Sequence, residues 1–169
     1  MREVAVLLNE MRAAGVVLDY ALFGAAAQMR YTEAVATLDV DMLVVVPAPD
    51  RLDVLAPLHE FCARRGLAPE GEAVAVGSWP VQFVPVFSGL TEAAVRDAET
   101  ADFEGEPLRV VRADYLAAIA LGAGRPKDFA RVLALLESGS VTRDDVGSLA
   151  GWHGLASAWT RFCSRFLDE

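Results

Sequence analysis

From Arg2 to Ala14 the apolar residues Val4, Leu7, Leu8 and Met11 recur at i, i+3, i+4 and i+7. That stripe predicts an amphipathic helix, with Gly15 where a C-terminal stop belongs. The period then changes. Val16–Phe23 is rich in β-branched and aromatic residues on both faces, the pattern of an interior strand. Gly24 interrupts it, and a short helix is predicted over Ala25–Tyr31. Val40–Val46 is a second strand, whose Met42-Leu43-Val44-Val45-Val46 run requires cover on both faces. Pro47 and Pro49 end it. A helix is predicted over Arg51–Arg65, capped by Asp50, with Val54, Leu55, Leu58, Phe61 and Cys62 on one side. Glu72–Val76 and Val81–Phe87 read as two strands joined at Gly77-Ser78-Trp79-Pro80. Pro85 marks the second as an edge strand or one bulged near its end.

Thr91 is the predicted cap of a short helix to Ala98, and a small hairpin is expected around Glu104-Gly105-Glu106-Pro107, leading into Leu108–Val111. Beyond Ala113 the period is helical throughout. Phe129, Val132, Leu133 and Leu136 form one stripe; Leu155, Trp159, Phe162 and Phe166 form the last. Thr142 and Asp145 have capping-box spacing. The chain thus reads as an α/β (α+β) unit over 1–111, a small mixed sheet with flanking helices, and a helical region over 112–169 packed on it.

Composition narrows the partners. Fifteen basic against 24 acidic residues give a net charge of −9. Such a chain is poorly suited to wrapping nucleic acid or an anionic membrane, although a local basic groove is compatible with it. Met-Arg-Glu-Val-Ala lacks the features of a signal peptide, and no apolar run has the length of a membrane helix. Cys62 and Cys163 stand far apart in no CxxC frame. Two reduced thiols and a cytoplasmic location are expected. With only His59 and His153 besides, no structural zinc site is expected.

The chemistry concentrates in two segments, Leu22-Phe23-Gly24-Ala25-Ala26-Ala27 and Thr37-Leu38-Asp39-Val40-Asp41. Alternation along a strand puts Asp39 and Asp41 on one face, ~6.5–7 Å apart at Cα. Two carboxylates there repel unless a cation lies between them, and a divalent ion with oxygen ligands, Mg²⁺ or Mn²⁺, meets that need. Gly24 and Ala25 open a helix with unhindered N–H groups, a geometry suited to phosphate. Metal-binding acids beside a phosphate-binding turn suit phosphoryl or nucleotidyl transfer. The alternative, a pair of aspartates that simply ends a strand at solvent, stays open on these residues alone.

The order of strand, glycine turn, helix, Thr-x-Asp-x-Asp and apolar strand resembles the nucleotidyltransferase superfamily of the DNA polymerase β type. The likeness extends to its small bacterial and archaeal members, including abortive-infection and toxin–antitoxin proteins. It is clearest over Tyr20–Val46 and looser through Val81–Phe87 and Leu116–Leu136, where Gly124-Arg125-Pro126-Lys127-Asp128 is similar to an Arg-x-Lys-Asp element. The resemblance implies that Gly24 and Ala25 bind phosphate, that Asp39 and Asp41 are the catalytic, metal-binding pair, and that Mg²⁺ or Mn²⁺ is the cofactor. Three positions depart from the family pattern. Ala25 replaces a serine, Val35 stands where a basic residue often precedes Thr-x-Asp, and Gln82 occupies the place of a third carboxylate. Gln82 can ligate a metal through its carbonyl but cannot act as a general base. Glu72 and Asp102 are the candidate substitutes.

Lys127 is the only lysine in the chain, a compact charge suited to phosphate. The structural alternative for Arg125, Lys127 and Asp128 is a charged helix start. His153 has no orienting neighbour in sequence and reads as a packing or surface residue. Arg161 and Arg165 read as the solvated side of an aromatic stripe, and Arg64-Arg65 as a helix C-terminus. Two functions follow. The first is an enzyme that moves a nucleoside monophosphate from an NTP to a hydroxyl of an RNA, protein or small molecule. The second is a catalytically weakened domain that binds a partner protein, as half of a toxin–antitoxin or defence pair. An Ala- and Leu-rich helical region could also serve a homodimer.

Overall fold

A computed structural model describes residues 1–33, 37, 39–50 and 52–168. Helix α1 (Arg2–Ala13) buries Val4, Leu7, Leu8 and Met11 as the stripe requires, and stops before Gly15 at φ +70°. Strand β1 (Asp19–Phe23) runs into the short helix α2 (Gly24–Gln28) with no intervening loop. Strand β2 (Val40–Val45) follows, with Val40, Met42, Leu43 and Val44 fully buried. Helix α3 (Ala56–Arg64) starts five residues later than the periodicity predicts, and Arg51 lies outside the described residues. The reason is local. Asp53, not Asp50, takes the capping role, its Oδ1 accepting from the N–H groups of Leu55 and Ala56 at 3.1 and 3.0 Å. Pro57 then occupies the first turn, where its missing donor costs nothing.

The two-residue β3 (Pro69–Glu70), β4 (Ala73–Val76) and β5 (Trp79–Pro85) follow. Strand β5 lies between β4 and β2, which overturns the edge strand, one of the two readings of Pro85. Pro85 is its last residue, and the N–H of Val86 donates to Val44 O at 3.0 Å, so the ladder resumes one step on. Helix α4 (Gly89–Arg96) is capped by Ser88 rather than Thr91. Thr91 closes the reciprocal half of that capping box from the third helical position. The hairpin β6 (Glu99–Phe103) and β7 (Glu106–Val110) turns through Glu104 and Gly105, both at positive φ.

The seven strands order β3-β4-β5-β2-β1-β7-β6. At the centre β2 runs antiparallel to β1 and parallel to β5, and β1 runs parallel to β7, so the sheet is mixed. Helices α5 (Ala113–Ala123), α6 (Pro126–Glu137), α7 (Arg143–Trp152) and α8 (Ala156–Phe166) complete the chain. The apolar α5 packs against α2, α4, α6, α7 and α8. Phe129 of α6 and Trp159, Phe162 and Phe166 of α8 form one aromatic cluster, with Arg161 and Arg165 exposed. The α8 aromatics are therefore packing residues. Thr142 caps α7 through the box with Asp145. Cys62 is buried, Cys163 partly so, and both thiols are free. Among the described residues no helix is long and apolar enough to cross a membrane.

Candidate active site

The register of the central strands builds the site. Asp41, second residue of β2, pairs with Phe23 at the end of β1 and with Gln82 in β5. Immediately after Phe23 the chain turns at Gly24, which adopts φ +69°, a left-handed conformation that glycine takes without steric cost. Glycine there also leaves room for the acid. A Cβ there would stand 2.6 Å from Oδ2 of Asp41. Asp39 lies just before β2, and Thr37 anchors it. The Thr37 hydroxyl donates to Asp39 O at 2.9 Å, and the N–H of Asp39 reaches that hydroxyl at 3.4 Å.

Across from these acids, α5 and α6 close a cavity of about 330 Å³. Asp39, Asp41, Gln82 and Gly24 form one wall, and Arg125, Lys127 and Arg131 stand on the other. Gly24, Asp39, Asp41, Gln82 and Lys127, picked out from the sequence, are thus brought to one cavity. Ala25 is half-buried and is not among its wall residues. Val35 lies outside the described residues.

The cationic wall is fixed by a carboxylate that periodicity alone did not assign to it. Asp128 is fully buried in the first turn of α6 and holds both Arg125 and Arg131, the latter at 3.3 Å. Burial would raise its pKa, but the hydrogen bond and charge of Arg125 and the charge of Arg131 outweigh that and keep it below the usual carboxylate range. Arg131 also donates through Nε to Oε1 of the buried Gln28 at 3.0 Å, tying α6 to α2. Arg131 and Gln28 are the residues that sequence reasoning missed. Arg131 falls one helical turn after Lys127, a spacing that puts both on the same face.

Asp41 has the opposite electrostatics. Burial first, and then the charge of Asp39, raise its pKa, and Arg131 and Lys127 offset this only in part. Of the two substitutes for a third carboxylate, Glu72 accepts from Nε2 of Gln82 at 3.4 Å. Asp102 sits on β6 at the far side of the sheet, where its Oδ1 accepts from the N–H of Gly105. It is too remote for that role. Among the described residues no three His, Cys, Asp or Glu side chains converge. The donors on offer are two carboxylates and one amide carbonyl, all hard oxygen atoms, a set that suits Mg²⁺ or Mn²⁺.

Neither a protein-family model nor a curated protein sequence matches the chain. Solved structures do. An antigenic nucleotidyltransferase-like protein from Paracoccidioides brasiliensis aligns over 93% of this chain and 90% of its own, at 13% identity and a TM-score of 0.57. The antibiotic-resistance factor ANT(2'')-Ia aligns over 98% and 100%, at 13% identity and a TM-score of 0.49. The first of these likenesses shows that the chain has a nucleotidyltransferase-like fold.

Proposed function

We propose that the chain is a metal-dependent nucleotidyltransferase that moves a nucleoside monophosphate from an NTP to a hydroxyl acceptor. One observation carries this reading: two adjacent carboxylates and three cationic side chains face each other across one cavity at the glycine turn. Asp39 and Asp41, with the carbonyl of Gln82, would hold Mg²⁺ or Mn²⁺. When bound, that ion neutralises charge on the triphosphate and polarises its phosphoryl oxygens.

The chain's own residues position the reactants. Lys127, exposed at the cavity edge, meets the triphosphate as a mobile point charge, whereas Arg131 is locked by Asp128 and Gln28 and presents a fixed one. Gly24 keeps bulk away from the phosphates at the start of α2. The acceptor oxygen then bonds to the α-phosphorus as the bridging α–β oxygen bond breaks. Pyrophosphate leaves, and the hydroxyl proton passes to solvent. The unit over 1–111 would carry the acids and the region over 112–169 the cations, so neither completes the site alone. The two thiols are consistent with a reducing cytoplasm.

A second reading rests on Gln82. Gln82 pairs directly with Asp41, and a neutral amide there removes the usual proton acceptor. A weakened domain of this fold would serve as the binding partner in a toxin–antitoxin or defence pair. Thermal-shift titration with each NTP and Mn²⁺ separates the two. A metal-dependent rise in Tm, abolished in Asp39→Ala, supports the nucleotide site. Transfer of labelled α-phosphate to RNA, protein or a small molecule establishes turnover. Absence of any nucleotide response favours the partner-binding role.

A further inference from the structure

A second cavity, of about 350 Å³, adjoins the acidic one. Ile119 and Ala123, one turn apart on α5, face both. The remaining wall differs in kind. Phe87, Gly89 and Leu90 come from the chain that leaves β5 and enters α4, and His153 and Leu155 from the junction of α7 and α8. Among the described residues its wall holds no Asp, Glu, Lys or Arg, whereas the acidic cavity holds three carboxylates and three cations. Phe87 is 69% exposed, yet its backbone is not loose. Its N–H donates to Oγ1 of Thr91 at 3.1 Å, inside the capping box that starts α4. A large aromatic ring on a fixed backbone at solvent has a surface to offer.

We propose that this apolar cavity receives the body of the acceptor, a small uncharged aromatic or alicyclic alcohol. The inference rests on the nucleotidyltransferase reading. In that reaction the attacking oxygen and the departing pyrophosphate lie roughly in line, on opposite sides of the α-phosphorus. On that reading the phosphates lie at the glycine turn, on the β1 flank of Asp41. The hydroxyl must then come from the β5 flank, where Gln82 stands. The second cavity shares Ile119 and Ala123 of α5 with the acidic one, whose lining includes Gln82. A polycationic acceptor or a nucleic-acid backbone would find no opposite charge there, while a ring stacked on Phe87 and packed on Leu155 buries apolar surface. The oxygen–phosphorus bond forms, the α–β bridge breaks, and the alcohol proton leaves with solvent.

The test uses naphthylmethanol as probe, with ligand-detected NMR and fluorescence titration on the full chain. Gly89 lines the cavity and no atom lies within 4 Å of a Cβ built on it, so Gly89→Leu adds bulk at the cavity without a clash at Cβ, and Phe87→Ala removes the ring. Saturable binding to the wild type, weakened about tenfold in each variant with the Mn²⁺–NTP rise in Tm unchanged, is the expected result. Equal binding to both variants, no saturable binding beside an intact nucleotide response, or displacement of the probe by single-stranded RNA would overturn the assignment. Loss of the nucleotide response in the wild type itself would instead overturn the parent reading, and this one with it.

Discussion

Asp41 and Gly24 compete for the same space, since Oδ2 of the aspartate lies 2.6 Å from where a Cβ on the glycine would stand. The end of β1 and the second acid of the pair are therefore one structural unit. Gly24→Ala would strain the backbone at φ +69° and push the carboxylate aside as well. A loss of about 1–3 kcal/mol is expected, together with a smaller Mn²⁺-induced rise in Tm. Melting curves with and without Mn²⁺ read both effects. An unchanged metal response would separate the turn from the acid pair.

Asp41 also makes the apo site sensitive to pH. Burial and the neighbouring Asp39 raise its pKa in the folded chain. An acid with a raised folded-state pKa favours folding when protonated, below the ordinary carboxylate pKa. It loses that contribution as pH rises through the raised value. Asp41→Asn stays neutral throughout. It is expected to melt above the wild type at neutral pH without divalent ions, and to converge with it below a pH of about 4. It should also lose the stabilisation by Mn²⁺. Melting across a pH series checks the sign, and a variant less stable at neutral pH would contradict it.

Asp128 behaves in the reverse sense. Its pKa is lowered, so the stability it contributes is present above the usual carboxylate pKa and is lost as pH falls through the lowered value. Arg125 supplies most of that lowering, discounted for its own exposure to solvent. Asp128→Asn leaves both arginines without their buried counter-charge, at a cost of roughly 3 kcal/mol at neutral pH. Urea denaturation should show the gap between variant and wild type narrowing toward acid pH, where the wild type loses the same charge. Labelled transfer should fall as well, since Arg131 is no longer fixed.

The parts of this fold legible in the sequence are those with an unbroken physical period. The α1 stripe, the apolar run of β2 and the α6 and α8 stripes stand where their spacing puts them. Edges and entries were harder. Strand β3 is two exposed residues, and β6 is the polar Glu-Thr-Ala-Asp-Phe on an outer edge; neither carries an inward-facing pattern to read. The start of α3 depended on which of Asp50 and Asp53 could reach the helix N–H groups. At the site, strand alternation was enough to pair Asp39 with Asp41, because that relation is local. Distinguishing Glu72 from Asp102 needed the sheet order, and linking Gln28 to Arg131 needed contact between residues 103 positions apart.

Gln82 decides how far the site can go. It pairs with Asp41 in the parallel register of β2 and β5, and its amide nitrogen is 3.4 Å from Glu72. Gln82→Asp places a third carboxylate in the wall. Without a cation the added repulsion should lower Tm, as it would for any cluster of like charges in a half-buried site. With Mn²⁺ the sign reverses, because one more hard anionic ligand tightens binding, by about tenfold or more. The new carboxylate can also take the acceptor's proton, a role worth roughly a hundredfold or more in rate where proton transfer limits turnover. Calorimetric Mn²⁺ titration and labelled α-phosphate transfer, run on the same preparations, read the two effects separately. Tighter metal binding with faster transfer marks a transferase slowed at one residue. Tighter metal binding with no gain in transfer would place the chain's role in partner binding.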